Sequence, residues 1–96
     1  MRLSQAMRLI WIDAALERGG VRRCDVIDAF GISVAQAAID FREYKRLWPA
    51  NIAYDWHGKC YRRAGQKAVF SATVHSDIEA ARSHYVDLIS KLEVNT

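Results

Sequence analysis

One proline, two cysteines and five glycines are spread over 96 residues. No apolar run approaches the roughly 20 residues that a bilayer-spanning helix requires, so no membrane contact is expected. Proline-rich, serine-rich and low-hydrophobicity stretches are missing too, and nearly every residue is expected to be structured. The amino terminus lacks the basic-then-apolar layout and small-residue cleavage site of a secretory signal, so the chain is expected in the cytoplasm. Cys24 and Cys60 are then reduced; two cysteines alone make neither a disulfide framework nor a zinc site. Joining them with His57 still leaves a four-ligand metal site one donor short. A glycine-rich phosphate loop, a nucleophile elbow and a paired-carboxylate constellation are likewise absent, and these absences point away from an enzyme. They give no sign of a cofactor or a small-molecule ligand.

The residues present are 51% apolar and 26% charged, the make-up of a single folded domain around one core. Fourteen Lys and Arg stand against eleven Asp and Glu, a net charge of +3. Their placement is uneven. Residues 1–67 hold 12 basic and 7 acidic groups, residues 68–96 hold 2 and 4. Between Arg42 and Lys67 the count is 7 basic to 2 acidic, a local positive field that suits a polyanion.

Along the chain, Leu3, Met7, Ile10, Trp11 and Ala14 recur at helical spacing, with Leu9, Ile12 and Leu16 widening the stripe. They predict an amphipathic first helix over Leu3–Leu16, stopped by Arg18-Gly19-Gly20. A short extended piece at Val21-Arg22 precedes a second helix, about Cys24–Phe30, turned inward on Val26, Ile27 and Phe30. Gly31-Ile32 breaks the pattern. Ser33 then stands three residues before Gln36, the spacing of a capping box, and a third helix runs from Val34 to Trp48, stopped by Pro49. Its expected inner face is Val34, Ala37, Phe41, Tyr44 and Trp48; its outer face is Ala35, Gln36, Ile39, Arg42, Glu43 and Arg46. The β-prone runs Asn51–Asp55 and Cys60–Arg63 flank Trp56-His57-Gly58-Lys59 and predict a hairpin. Ser76 and Glu79 have capping-box spacing and open a last helix, over 76–92, in which Ile78, Ala81, Tyr85, Leu88 and Leu92 are separated by 3, 4, 3 and 4 residues, the seam of a short coiled coil.

Three helices with a tight turn between the second and third, followed by a two-stranded hairpin, form the order of a winged helix-turn-helix domain. The expected fold class is therefore α+β, mainly α, with residues 1–70 as the winged helix and the last helix added to it. In such a layout the third helix enters a major groove and the hairpin lies on the adjacent backbone or minor groove of double-stranded DNA.

The stretch Arg23-Cys24-Asp25-Val26-Ile27-Asp28-Ala29-Phe30-Gly31-Ile32-Ser33, followed by Gln36-Ala37, Asp40, Tyr44, Pro49-Ala50-Asn51-Ile52, Tyr54-Asp55, Lys59, Tyr61 and Phe70, resembles the amino-terminal winged helix of the BrxR/CapW group of WYL-domain transcriptional repressors. The resemblance covers roughly residues 5–72. It implies a bacterial or phage repressor that binds an inverted repeat as a homodimer, often beside phage-defence genes. The effector-sensing WYL domain and the carboxy-terminal dimerisation domain of that group are not in this sequence, so ligand sensing does not carry over. Ala35 and Ala38 stand where proline and serine are usual.

Several side chains are candidates for DNA contact, each with a plainer structural alternative. Gln36 matches the N6 and N7 edge of adenine or completes the cap. Ser33 caps the helix, bonds a phosphate, or does both. Ile39 meets a thymine methyl or packs on a neighbour, and Ala35 shares its outer face. Arg42 and Arg46 offer forked donors to phosphates or are simply solvated. In the hairpin, His57, Lys59, Arg62 and Arg63 are expected to form a wing along the backbone. Trp56 is either a wing-tip wedge or a strand-edge packing residue, while Trp11 and Trp48 read as core. Asp40 would repel phosphate and is assigned a structural ion pair with Arg23. His75 and His84 read as surface or helix-end residues. Ile78, Ala81, Tyr85, Leu88 and Leu92 pair two protomers or close the core of a monomer. From a different class, a winged helix that binds only proteins remains the alternative, and so does a piece of a longer sensor.

Overall fold

A computed structural model describes residues 1–65 and 67–94, with the side chains of Ile89, Leu92, Glu93 and Val94 outside the described residues. Helix α1 spans Leu3–Glu17, α2 Arg23–Phe30 and α3 Val34–Leu47. A single 3-10 turn over Pro49–Asn51 leads into strands β1 (Ile52–Asp55) and β2 (Cys60–Arg63), and α4 covers Ala72–Val94. The expected winged helix-turn-helix order, mainly helical with one hairpin, is present.

Local chemistry sets the boundaries. Gly31 closes α2 in the left-handed conformation, φ 66°, which costs a glycine nothing. Ser33 Oγ accepts from the Gln36 N–H at 3.0 Å and starts α3 two residues later. Only half of the expected capping box forms, because the Gln36 amide turns to Asp40 instead. Asp25 accepts from the Arg22 N–H at 2.8 Å and opens α2. At the other end, α4 begins at Ala72, not Ser76: Ser71 Oγ accepts from the Val74 N–H at 3.2 Å. Ser76 lies inside the helix, and Glu79 is engaged by Arg82 and Trp11 rather than by a cap.

Strands β1 and β2 pair antiparallel with Tyr54 opposite Tyr61 and Ile52 opposite Arg63. The short extended piece expected at Val21 is a single bridge, with Val21 and Tyr61 exchanging N–H to carbonyl bonds of 2.9 and 2.8 Å. It ties the α1–α2 connection to the hairpin.

The core gathers Leu9, Ile12 and Leu16 from α1, Val21, Val26 from α2, Phe41 and Tyr44 from α3, and Ile52 from β1. On α1 the buried stripe is thus the one expected only as its margin, and Leu3 is 78% exposed. The Met7 and Trp11 side of α1 receives α4 instead, with Trp11 Nε1 donating to Glu79 at 2.9 Å. Val34, expected inside, is 63% exposed, since the first turn of α3 projects past the bundle.

A polar cluster lies inside this apolar frame. Asp13, on α1, has no solvent exposure. Its carboxylate accepts from Tyr44 Oη at 2.6 Å, Arg63 Nη2 at 3.1 Å and the N–H groups of Val69 and Phe70 at 3.2 and 3.0 Å. His75 Nε2 lies 2.8 Å away. Burial alone would push the Asp13 carboxyl up, but the bonds from Tyr44, Phe70, His75 and Val69 outweigh it and hold it below its ordinary value. Tyr44 is pushed the other way, to about 12, by burial and by the anion it faces. His75, expected at the surface or a helix end, sits in the first turn of α4 and points inward.

Breaking a buried charge pair from one side costs about 3 kcal/mol or more, so Asp13→Ala is expected to lower the urea midpoint of unfolding by that much. A carboxyl whose folded value is depressed adds stability above its unfolded value, and that stability is lost as the pH falls through the folded value. Unfolding of the natural sequence is therefore expected to become easier below about pH 4, and Asp13→Asn to flatten that dependence. Equal acid slopes for both proteins would contradict the role given to Asp13.

Candidate nucleic-acid interface

Helix α3 is held by Ala37, Asp40, Phe41 and Tyr44, which face inward. The opposite strip, Ala35, Ile39, Arg42 and Arg46, is spaced by 4, 3 and 4 residues and exposed throughout. Because α4 packs on α1 and α2, this strip remains open to solvent. Buried Asp40 accepts from Arg8 Nε at 2.5 Å, Gln36 Nε2 at 3.0 Å and Gln5 Nε2 at 3.3 Å. Its structural ion pair exists, but the partner is Arg8 of α1 and not Arg23. A short contact across two helices neutralises the carboxylate beneath the outer strip.

The expected contact residues divide by what already holds them. Arg42 is exposed and makes no ion pair among the described residues. Arg46 donates to Glu43 on its own helix at 2.5 and 3.0 Å, and each side chain holds the other's charged form, Glu43 falling and Arg46 rising. Gln36 is half-buried, with its amide N–H committed to Asp40. Ser33 is exposed at the helix start and serves as the cap.

In the hairpin, Asp55 organises the loop. It accepts from the N–H groups of His57 and Gly58 at 3.0 and 3.1 Å and from Arg62 Nε at 2.7 Å. The Arg62 contact, with those N–H groups, lowers the Asp55 carboxyl. Arg62 also reaches the Gly19 carbonyl at 2.6 Å, which fastens the wing to the α1–α2 turn. At Gly58 an added Cβ would come within 2.8 Å of an Asp55 carboxylate oxygen, so the loop is closed too tightly for a side chain. His57 and Lys59 are exposed at the tip, Lys59 in the left-handed region at φ 53°.

Arg63 is a correction. Its guanidinium turns away from the wing and binds Tyr44 Oη at 3.0 Å and both the carboxylate and carbonyl of Asp13. The reason is strand alternation: Arg63 shares the face of Tyr61, whose ring stacks on Phe41 at 4.3 Å.

Between α3 and the hairpin runs an open cleft of about 490 Å³ whose rim includes Arg23, Arg42, Lys45, Tyr54 and Trp56. Sequence reasoning missed Arg23 and Lys45. Lys45 was legible, since it stands three residues after Arg42 and shares its face; for Arg23, at the start of α2, no local signal existed. Trp56 is 80% exposed and leans edge-on against Tyr54 at 4.7 Å. Trp11 and Trp48, expected in the core, are half-buried against it, Trp11 meeting Phe30 and Trp48 meeting Tyr44.

The seam residues of α4 do not close an intramolecular core. Ile78 is half-buried, whereas Ala81, Tyr85 and Leu88 are exposed, and the side chain of Leu92 lies outside the described residues. His84 is exposed on the same helix. No helix among the described residues is long and apolar enough to cross a membrane, and no metal-holding cluster of His, Cys, Asp or Glu occurs among them.

Comparison with known proteins agrees with this architecture. The BrxR transcriptional regulator winged helix-turn-helix domain family matches residues 3–90. The DNA-binding transcriptional repressor CapW of Escherichia coli (strain KTE188) is 44% identical over 62 residues, covering 64% of this chain and 21% of that protein. CapW of Pseudomonas aeruginosa is 40% identical over 74 residues, covering 75% of this chain and 25% of that protein. The chain thus spans about a fifth to a quarter of the length of these relatives. With its helix-turn-helix, its hairpin and a match running almost end to end, the chain belongs to the BrxR transcriptional regulator winged helix-turn-helix family.

Proposed function

We propose that this chain binds double-stranded DNA with sequence preference and regulates transcription, as a repressor on an inverted repeat, in the form of a homodimer in the cytoplasm. The observation that carries the reading is the uncovered strip Ala35–Ile39–Arg42–Arg46 of α3 lying beside the hairpin across one cationic cleft. In the winged-helix docking mode, α3 occupies a major groove with the residues of its first turns at the base edges. Ala35 and Ile39 present methyl groups there, suited to thymine, and Gln36 reaches adenine only by exchanging Asp40 for the base. Ser33, Arg42 and Arg46 serve phosphates, and His57, Lys59 and Arg62 line the wing. Arg63 is not among the contacts. The names of the relatives, DNA-binding transcriptional repressors, support the same function.

Two half-sites need two protomers, and α4 offers a means. At 1.5 Å per residue, its 23 residues extend about 34 Å against about 22 Å for the 15 of α1. The two helices run antiparallel, His75 near Asp13 and Leu88 near Ser4, so the end of α4 outruns its partner. Tyr85, 59% exposed, with Val86, Leu88 and nearby Leu3 form an apolar surface that a second copy would cover.

In duplex titrations at several salt concentrations, Arg42→Ala with Arg46→Ala is expected to reduce the slope of log K against log salt by about 0.9 for each phosphate contact removed. Selection from a random duplex pool is expected to enrich a palindrome. Absence of duplex affinity at low salt would overturn the reading in favour of a protein-binding module. Sedimentation is expected to show a dimer that Tyr85→Glu with Leu88→Glu converts to a folded monomer; a natural sequence that is monomeric at high concentration would remove the homodimer.

A further inference from the structure

Trp56 is the most exposed large ring in the described structure, yet its placement is not loose. Phe41 of the core stacks on Tyr61 at 4.3 Å, Tyr61 meets Tyr54 edge-on at 5.0 Å, and Tyr54 meets Trp56 edge-on at 4.7 Å. The four rings form a continuous series from the centre of the bundle to the wing. Each restricts the next, so the indole is held in place before any partner arrives and little conformational freedom remains to be lost on binding. Below it, Asp55 fixes the turn through His57, Gly58 and Arg62. A wing built this firmly to hold an indole in water gains no intramolecular burial from it.

The opposite wall of the cleft is cationic. Arg42 and Lys45 project from α3, Arg23 from the start of α2, and none of the three makes an ion pair among the described residues. One side therefore offers donors for anionic oxygens and the other an apolar, ordered ring. A sugar-phosphate strand has this alternation of chemistry: phosphate oxygens on its edge, deoxyribose carbons between them. When α3 lies in a major groove and the hairpin over the neighbouring minor groove, a single strand separates the two grooves and must cross the space between helix and hairpin.

Resting on the DNA-binding reading above, we propose that the α3–hairpin cleft seats that strand, with phosphates on Arg23, Arg42 and Lys45 and the Trp56 indole packed on a deoxyribose. A wedge between base pairs would need the ring to project beyond the wing, whereas Trp56 lines the cleft and leans on Tyr54. The indole thus contributes affinity that is apolar, common to all sequences and independent of salt. Arg23 and Lys45 contribute the ionic part.

The test compares the natural sequence, Trp56→Ala, Trp56→Phe and Arg23→Ala with Lys45→Ala on the selected duplex and on an unrelated one, across a salt series. Trp56→Ala is expected to weaken both duplexes about tenfold, the effect of roughly 55 Å² of apolar burial, with an unchanged salt slope and an unchanged preference between them. Trp56→Phe is expected to recover part of the loss, and the double cation variant to reduce the slope. 2-Aminopurine placed through the site is expected to stay stacked. Because Trp56 makes only edge contacts, its variants are expected to keep the thermal midpoint. Unchanged affinity in Trp56→Ala overturns the strand seat while leaving the DNA-binding reading intact; so does 2-aminopurine unstacking that depends on Trp56, which identifies a wedge. Absence of duplex binding by the natural sequence overturns both.

Discussion

A carboxylate with no access to water keeps its charge only if donors replace the hydration it has lost. Asp13 finds them on four separate pieces of chain: Tyr44 on α3, Arg63 on β2, the N–H groups of Val69 and Phe70 before α4, and His75 within it. No other group joins so many elements. Apolar packing brings these segments together without fixing their angles, since methyl and ring surfaces slide at small cost. Hydrogen bonds to one buried anion do not slide. The angle between α3 and the hairpin, and with it the width of the cleft, is therefore set from inside by a residue that touches neither wall.

Asp40 plays the corresponding part at the other end of α3. Its bonds to Arg8, Gln5 and Gln36 fix the first turns of α3 against α1. Together the two aspartates hold α3 at points separated by about one turn, because Asp40 and Tyr44, which meets Asp13, are four residues apart on its inner face. A helix anchored in this manner presents its outer strip at a defined rotation. Both anions also hold arginines in the interior, so Arg8 and Arg63 add nothing to the surface field.

Most of the element order was legible in the sequence because its signals are local. Gly31, Ser33 and Pro49 delimit α3 by backbone chemistry alone, and the Trp56–Lys59 turn announces the hairpin. The polar interior was not legible in the same way. Asp13 stands four residues after Leu9 and three before Leu16, both fully buried, so its position on the inner face could be read from the wheel; its five donors could not, since they come from residues 31 to 62 positions away. Asp40 was recognised as structural, but Arg8 lies 32 residues from it and no spacing rule connects them. Arg63 was counted with the wing because its charge was weighed and strand alternation was not: Arg62 and Arg63 are neighbours in sequence and face opposite ways. Ser76 with Glu79 had the spacing of a cap, and Ser71 with Val74 formed one, because Val69 and Phe70 are already fixed on Asp13 and the helix starts where that fixed segment ends.

Counting basic residues consequently overstates the field and misplaces its centre. Of the seven between Arg42 and Lys67, Arg63 is consumed by Asp13, Arg62 by Asp55 and Arg46 by Glu43. An arginine already bonded to a carboxylate must surrender that contact before it binds a phosphate, and the exchange returns little. Arg42 and Lys45 carry no such debt among the described residues, and Arg23 joins them from another helix. The effective positive charge is thus concentrated at the cleft between helix and hairpin, not spread along the basic segment. Two surfaces that read as separate in the sequence, a recognition helix and a wing, are then better understood as the two walls of one site, whose spacing is decided by a buried aspartate and whose chemistry is divided between cations on one side and an ordered indole on the other.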